Sequence, residues 1–141
     1  HYNLVERGIE EDVIPLAASE SIGVIPYFSL AKGFLAGKYR SADTARGADA
    51  SPRAGAALTY ATPAGLALVD ELERIGAAHD ASIATAALAW LRAQPTVVAP
   101  LASASRVGQV ADLLASATLE LSSAELTALD AASTAVASRS A

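Results

Sequence analysis

Residues 24–39 read Val-Ile-Pro-Tyr-Phe-Ser-Leu-Ala-Lys-Gly-Phe-Leu-Ala-Gly-Lys-Tyr. The first residues are apolar and β-prone, which is typical of a buried strand. Ser29, Gly33 and Gly37 follow in a loop of small residues, where the backbone can approach an anion closely. Because amide groups become free where a strand ends, such a loop can bind an anion. The stretch therefore predicts the floor of a cofactor site.

The segments on either side of this stretch predict helices and one long loop. Residues 8–19 carry apolar side chains at roughly helical spacing, with acidic residues near the start, where the helix dipole favours them. Residues 28–62 are rich in Gly, Ala, Ser, Asp and Arg and show no sustained periodicity. A connection of that length is usually functional or mobile. Thr62 and Pro63, a cap followed by proline, predict the start of the next helix.

The C-terminal half continues the α/β alternation. Ser82 predicts the cap of a second helix that ends near Ala93, before a proline. Residues 97–98 then predict a short final strand. Ser105 is a plausible N-cap for a helix over residues 106–116, whose free amides and dipole would suit a phosphate.

Five segments resemble, in matching order and spacing, parts of the aldo-keto reductase family. Residues 24–39 are similar to Tyr-Ser-Pro-Leu-Ala-x-Gly-x-Leu-(Thr/Ala)-Gly-Lys-Tyr, which in that family follows the seventh barrel strand. Tyr2-Asn3-Leu4-Val5-Glu6-Arg7 resembles the segment after the sixth strand, and residues 99–109 resemble the segment after the eighth. Residues 88–95 and 121–130 are similar to the helix before strand eight and to the closing C-terminal helix.

The resemblance implies the C-terminal portion of a TIM (β/α)8 barrel, roughly strands 7 and 8 with their helices and the C-terminal helix. A complete barrel takes roughly 250 residues. Residues 1–141 would therefore be a partial barrel, and we expect the chain to be a fragment. The family's catalytic Asp, Tyr, Lys and His lie on the first four strands and their loops. The resemblance thus assigns no catalytic residue here.

The resemblance also implies an NADPH site with two ends. Residues 28–62 would cover the dinucleotide, and residues 103–116 would hold the adenosine phosphate. At the nicotinamide and pyrophosphate end, the implied contacts are Tyr27, the mostly backbone contacts of Ser29, Leu30 and Ala31, and Gly33 and Lys38. At the adenosine end they are Ser103, Ser105, Arg106, Gln109 and Asp112. Arg53 stands where some relatives place an arginine over the cofactor.

Several of these residues have a structural alternative. Ser105 and Arg106 are also explained by ordinary helix capping and a solvated charge. Tyr27 suits the end of a strand because it is amphipathic, and a loop lysine such as Lys38 is usually solvated.

Neither histidine is predicted to be catalytic. His1 is expected to be exposed and mobile. His79 is expected to lie at a helix end, where imidazoles interact with orphan carbonyls.

Composition restricts the remaining classes of function. The chain is 52% hydrophobic and 18% charged, with a net charge of −5. Its basic residues are scattered, which disfavours nucleic-acid binding. It has no cysteine, no spaced set of metal ligands, no leader-like N-terminus and no apolar run of about 18 residues. We therefore expect no metal and no membrane insertion, and a cytoplasmic location is compatible with the sequence.

Two functional hypotheses follow. The chain is either the cofactor-binding part of an NADPH-dependent reductase of aldehydes or ketones, inactive alone, or a non-catalytic remnant that binds a nucleotide or a protein. A chain with only two or three barrel strands would expose strand edges and apolar faces, which self-association or the missing barrel half would cover.

Overall fold

The computed structural model describes residues 1–41 and 54–137. None of the helices in these ranges is both long enough and apolar enough to cross a bilayer. The helices are α1 Val13–Ser19, α2 Ala54–Leu58, α3 Pro63–Ala78, α4 Ile83–Arg92, α5 Gly108–Ala115 and α6 Ser123–Ala137, with 3₁₀ segments at Gly8–Glu10 and Ala31–Ala36.

The two predicted strands are reduced to one parallel bridge between Val24 and Val97. The amide of Val24 donates to the carbonyl of Thr96 at 2.8 Å, and the amide of Val98 donates to the carbonyl of Val24 at 3.0 Å. A buried parallel strand is normally hydrogen-bonded on both sides, whereas each of these segments pairs with one neighbour among the described residues. The described part of the chain is consequently rich in helix, with no extended strand.

Two predicted helix starts are confirmed by their caps. Thr62 Oγ1 accepts the amide of Gly65 at 3.1 Å at the start of α3. Ser82 Oγ accepts the amide of Thr85 at 3.1 Å at the start of α4. Each hydroxyl satisfies an amide that has no partner within the helix, so both boundaries were visible in the sequence.

Two other predicted helices differ from the structure. The pattern over residues 8–19 forms a 3₁₀ segment and then the separate helix α1, capped by Asp12, whose Oδ1 accepts the amide of Val13 at 2.6 Å. The prediction that Ser105 caps a helix over 106–116 is wrong, because α5 begins only at Gly108. The Gln109 side chain accepts the amide of Ser105 at 2.9 Å and occupies the turn where the helix was expected to begin.

The core lies where α3 packs against α4 and α6. Leu68 and Leu72 of α3, Trp90 of α4 and Leu129 of α6 are fully buried within it. Trp90 Nε1 donates to Asp130 at 3.2 Å, so the indole N–H is satisfied in the interior. The helix predicted from Ser82 to near Ala93 is confirmed as a packing helix, which ends at Arg92.

The N-terminal segment is fastened to this core by a polar network. Arg7 Nε donates to Glu10 at 2.7 Å and its Nη1 donates to Asp130 at 2.8 Å. The hydroxyl of Tyr2 also donates to Glu10, at 2.6 Å. Burial, followed by this hydrogen bond and the charge of Glu10, raises the pKa of Tyr2 far above its usual value. These bonds hold the segment before α1 against α6, although the two lie far apart in sequence.

Candidate functional site

A cavity of about 1100 Å³ opens between the loop after Val24 and the loop after Val97. The first loop supplies nine residues between Tyr27 and Tyr39, and the second supplies residues 101–105. The start of α4 and one face of α5 complete the wall. The first loop, the start of α4, and the second loop with α5 are distant in sequence and therefore meet around the cavity only in the folded chain.

The two loops meet because the segments before them run parallel. Parallel strands end at the same edge, so both loops leave the bridge on one side. The amide of Leu101 donates to the carbonyl of Pro26 at 2.9 Å. Ser29 Oγ lies 3.0 Å from the carbonyl oxygen of Leu101 and 3.2 Å from that of Pro26. Ser29 is only 2% exposed, so its hydroxyl joins the loops.

The first loop has an unusual backbone. The φ angles of Phe28, Ala31 and Lys32 are +53°, +47° and +59°, in the left-handed region that non-glycine residues rarely adopt. The amides of Ala31 and Gly33 donate to carbonyls within the loop, each at 2.8 Å. These two amides are thus already hydrogen-bonded, in contrast to the free amides expected at the strand end.

Aromatic rings cluster at the start of the first loop. Tyr27 is 51% exposed and lines the cavity, with its ring centroid 5.1 Å from that of Phe28. The His1 ring lies 5.5 Å from Tyr27 and 5.4 Å from Phe28. The expectation that His1 is exposed and mobile is wrong, because it packs against both rings and is partly buried.

Both lysines of the chain line the cavity. Lys32 Nζ lies 5.7 Å from the ring centroid of Phe28, and Lys38 belongs to the same loop. Within residues 1–41 and 54–137, neither ammonium lies within 4.0 Å of a carboxylate. Asp112 is the acidic residue that lines the cavity. The lysines give the loop side a positive potential that favours an anionic ligand.

A cluster of donors lies at the opposite end of the cavity. Gln109 Oε1 accepts from the amide of Ser105 at 2.9 Å, from Ser105 Oγ at 3.1 Å and from the amide of Arg106 at 3.2 Å. These donors converge on one oxygen atom, as they would on an oxygen of an anion.

The structure brings most of the candidate residues to one cavity. Ala31 and Arg106 do not line it, and Ala31 is completely buried beneath the loop. Arg53 and residues 42–52 of the loop predicted over residues 28–62 lie outside the described ranges. The candidates that line the cavity are Tyr27, Ser29, Leu30, Gly33, Lys38, Ser103, Ser105, Gln109 and Asp112.

Some cavity residues were missed by the sequence reasoning. Lys32 stood inside the quoted stretch, and its charge was an available signal. Ser82 and Ala84 gave no comparable signal, because only the packing of α4 beside the loops brings them to the wall.

His79 occupies a structural position, as expected. It follows the last residue of α3, and its Nε2 lies 2.8 Å from Glu125 Oε1 near the start of α6. The ring bonds this carboxylate instead of the orphan carbonyls. In the part of the chain that the structure describes, His, Asp and Glu form no group of three suited to a metal ion.

Comparison with known proteins adds a family relationship. A model of the aldo/keto reductase family matches residues 1–134. An uncharacterized oxidoreductase of Mycobacterium tuberculosis is 37% identical over 131 residues, which cover 92% of this chain and 39% of that protein. An NADH-specific methylglyoxal reductase of Escherichia coli is 28% identical over 129 residues, 89% of this chain and 38% of the enzyme.

Solved structures show the same partial overlap. The glycerol dehydrogenase of Gluconobacter oxydans matches 93% of this chain and 40% of its own, with a TM-score of 0.76 and 29% identity. A thermostable aldo-keto reductase matches 93% of this chain and 37% of its own, with a TM-score of 0.63 and 25% identity. The chain thus spans somewhat more than a third of the length of these relatives.

Proposed function

Because this chain belongs to the aldo/keto reductase family, we propose that it forms the cofactor-binding part of an NADPH-dependent reductase of aldehydes or ketones. The observation that carries the proposal is the cavity between the two loops, where most of the candidate residues meet. When bound, the cofactor would supply the hydride that reduces the carbonyl carbon.

The residues of the cavity fit a dinucleotide. Ligand pockets commonly measure about 300–1,000 Å³, so a volume of about 1100 Å³ suits a long ligand. Lys32 and Lys38 offer charge for phosphates, and the hydroxyls of Ser103 and Ser105 offer polar contacts. The exposed Tyr27 ring offers an aromatic face for the nicotinamide.

The backbone of Ser29 and Leu30 is proposed to lie along the pyrophosphate, whereas Ala31, which is buried and does not line the cavity, would only support the loop beneath them. Ser29 would act indirectly, because its hydroxyl is engaged by the two loops and holds their separation. Gly33 would leave room for close approach.

Ser105, Arg106 and Gln109 are proposed to hold the adenosine end, with Asp112 nearby. A phosphate placed on the amides of Ser105 and Arg106 would require the Gln109 oxygen to move away. The preference for NADPH rests on this cluster. One relative is named NADH-specific. Measuring whether this chain prefers NADPH or NADH therefore tests the role proposed for this cluster.

Proton donation to the carbonyl oxygen is assigned to the part of the barrel that the chain does not cover, so this chain alone would be inactive. Ile25 and Val98 beside the bridge are 62% and 63% exposed. Apolar residues exposed at a sheet are normally covered, and the covering partner proposed here is the rest of the barrel. The same observation favours the second candidate function, a non-catalytic nucleotide-binding or protein-interaction module.

The proposal is tested by intact mass followed by fluorescence titration with NADPH and NADH. Arg106 does not line the cavity, so its guanidinium is proposed to reach the extra phosphate of NADPH from beside Ser105. Arg106→Ala is expected to weaken NADPH binding about tenfold and NADH binding less, since only NADPH carries that phosphate. Arg74→Gln, an exposed change on α3 outside the cavity, serves as the control. A mass near the 14.2 kDa of the chain with no nucleotide binding would exclude an autonomous cofactor site.

A further inference from the structure

Lys32 was not among the residues implied by the resemblance, yet its side chain lines the cavity. We propose that Lys32 is a mobile phosphate-binding arm, which rests on the ring of Phe28 and moves to a phosphate when a dinucleotide enters. This inference rests on the proposed function and adds to it a residue that sets nucleotide affinity.

The backbone at Lys32 gives the first argument. Its φ and ψ are 59° and 20°, a left-handed conformation that glycine adopts at little cost. The next residue, Gly33, has a φ of 99° and carries no side chain. A long charged side chain at a position where glycine is less strained suggests that the side chain has a use, since strained residues cluster at ligand sites.

The surroundings of the ammonium give the second argument. Lys32 Nζ lies 5.7 Å from the Phe28 ring centroid and forms no ion pair within residues 1–41 and 54–137. A partly exposed cation over a phenyl ring is held weakly. A charge-assisted hydrogen bond to phosphate is stronger, so exchange of the ring for a phosphate is favourable.

The ring of Phe28 is itself held in place. It packs against Tyr27 at 5.1 Å and His1 at 5.4 Å, so a fixed surface supports the resting position of the lysine. Departure of the ammonium would expose one face of this aromatic cluster to the cavity. The arm would thereby couple phosphate binding to the surface next to Tyr27.

The first experiment measures the affinity for NADP⁺ of wild type, Lys32→Ala, Lys32→Arg and Lys32→Gly. Lys32→Ala is expected to weaken binding about fivefold to tenfold, and Lys32→Arg to retain most of it. Lys32→Gly should weaken binding equally while raising the midpoint of thermal unfolding, because it removes the left-handed strain. A merely structural lysine would not produce these opposite signs. Arg74→Gln controls for the loss of one positive charge elsewhere.

The second experiment uses the fact that the chain has two lysines. Acetylation with an amine-reactive reagent is followed by peptide mass spectrometry, with NADP⁺ or inorganic pyrophosphate as the protecting probe. Both probes should slow the modification of Lys32.

The outcomes separate the two proposals. If wild type binds NADP⁺, while Lys32→Ala binds equally well and Lys32 is acetylated at an unchanged rate, the arm is refuted and the cofactor site survives. If NADP⁺ fails to bind but pyrophosphate protects Lys32, the arm is retained and the reductase function fails. If neither probe binds, both proposals are overturned.

Discussion

Gly37 illustrates how a single residue positions the cavity. Its φ is +74°, and a Cβ built there would lie 2.5 Å from Ile83 Cδ1. The loop that carries the two lysines therefore packs at Gly37 directly against Ile83, the first residue of α4, and a β-carbon at this position would require the end of the Ile83 side chain to move. The close approach brings the cavity face of the loop beside Ser82 and Ala84.

Gly37→Ala is expected to lower the free energy of unfolding by about 1–3 kcal/mol, because it adds left-handed strain and a steric contact with Ile83. Denaturant unfolding followed by the fluorescence of Trp90, the single tryptophan, measures this loss. Gly8→Ala is the matched control, since nothing lies within 4 Å of its Cβ position. An unchanged midpoint for Gly37→Ala would show that the loop does not depend on this contact.

At the level of elements, the start of α6 is a capping box. The amide and Oγ of Ser122 both donate to Glu125 Oε2 at 2.8 Å, and the amide of Glu125 donates to Ser122 Oγ at 3.3 Å. The Ser122 hydrogen bonds, backbone first, lower the pKa of Glu125 to about 2, and His79 adds to this effect. The box therefore stabilises both the helix start and its contact with the end of α3.

This arrangement predicts a pH-dependent stability with a defined sign. The pKa of Glu125 is lower in the folded state than the usual value of about 4.3, so its contribution is present above that value and is lost as pH falls toward 2. Glu125→Gln should lower the free energy of unfolding by about 1 kcal/mol at neutral pH and should have almost no effect once the pH approaches 2. Urea unfolding at several pH values measures the difference.

The control for this experiment is Glu20→Gln, an exposed carboxylate at the end of α1. This variant removes a carboxylate outside the capping box and gives the baseline for the loss of one acidic group. A wild-type minus Glu125→Gln difference that stays constant from neutral to acid pH would contradict the role given to the charge.

At the scale of the whole molecule, apolar side chains surround the strand bridge. Ile22, Ile25, Val98 and Leu101 are each more than half exposed. Exposed apolar side chains around one bridge favour association. The chain also spans only about 40% of its relatives. We therefore propose that the rest of a barrel buries these side chains, and that a second copy of the chain buries them when the chain is alone.

Ile25→Asp tests this surface. The chain alone is expected to self-associate with increasing concentration, and Ile25→Asp should shift it toward monomer in size-exclusion chromatography with light scattering. In a protein that contains the remaining barrel, the same change should lower stability, because it would bury a charge. Leu114→Asp on α5, also exposed, is the control. A wild-type chain that remains monomeric at all concentrations would contradict the prediction.

Local features could be predicted because their causes lie within a few residues. The caps Thr62 and Ser82 satisfy amides only three residues away, and their hydroxyls were visible in the sequence. The strands at Val24 and Val97 were overestimated, because strand length depends on neighbours that local patterns do not contain. Ser105 is not the cap, because α5 begins at Gly108 and the Ser105 hydroxyl donates to Gln109 Oε1 at 3.1 Å instead of accepting a helix amide.

The sequence by itself determined the family, the starts of α3 and α4, and the two loops that carry most of the candidate residues. Only the tertiary structure placed Ser82 and Ala84 in the same cavity wall as Lys32, packed His1 on Tyr27, and let the Ser29 hydroxyl link the two loops. The physical reason is the sequence separation between the residues that interact. Caps and helical periodicity are local, whereas a cavity wall and a left-handed backbone result from contacts between segments distant in the chain.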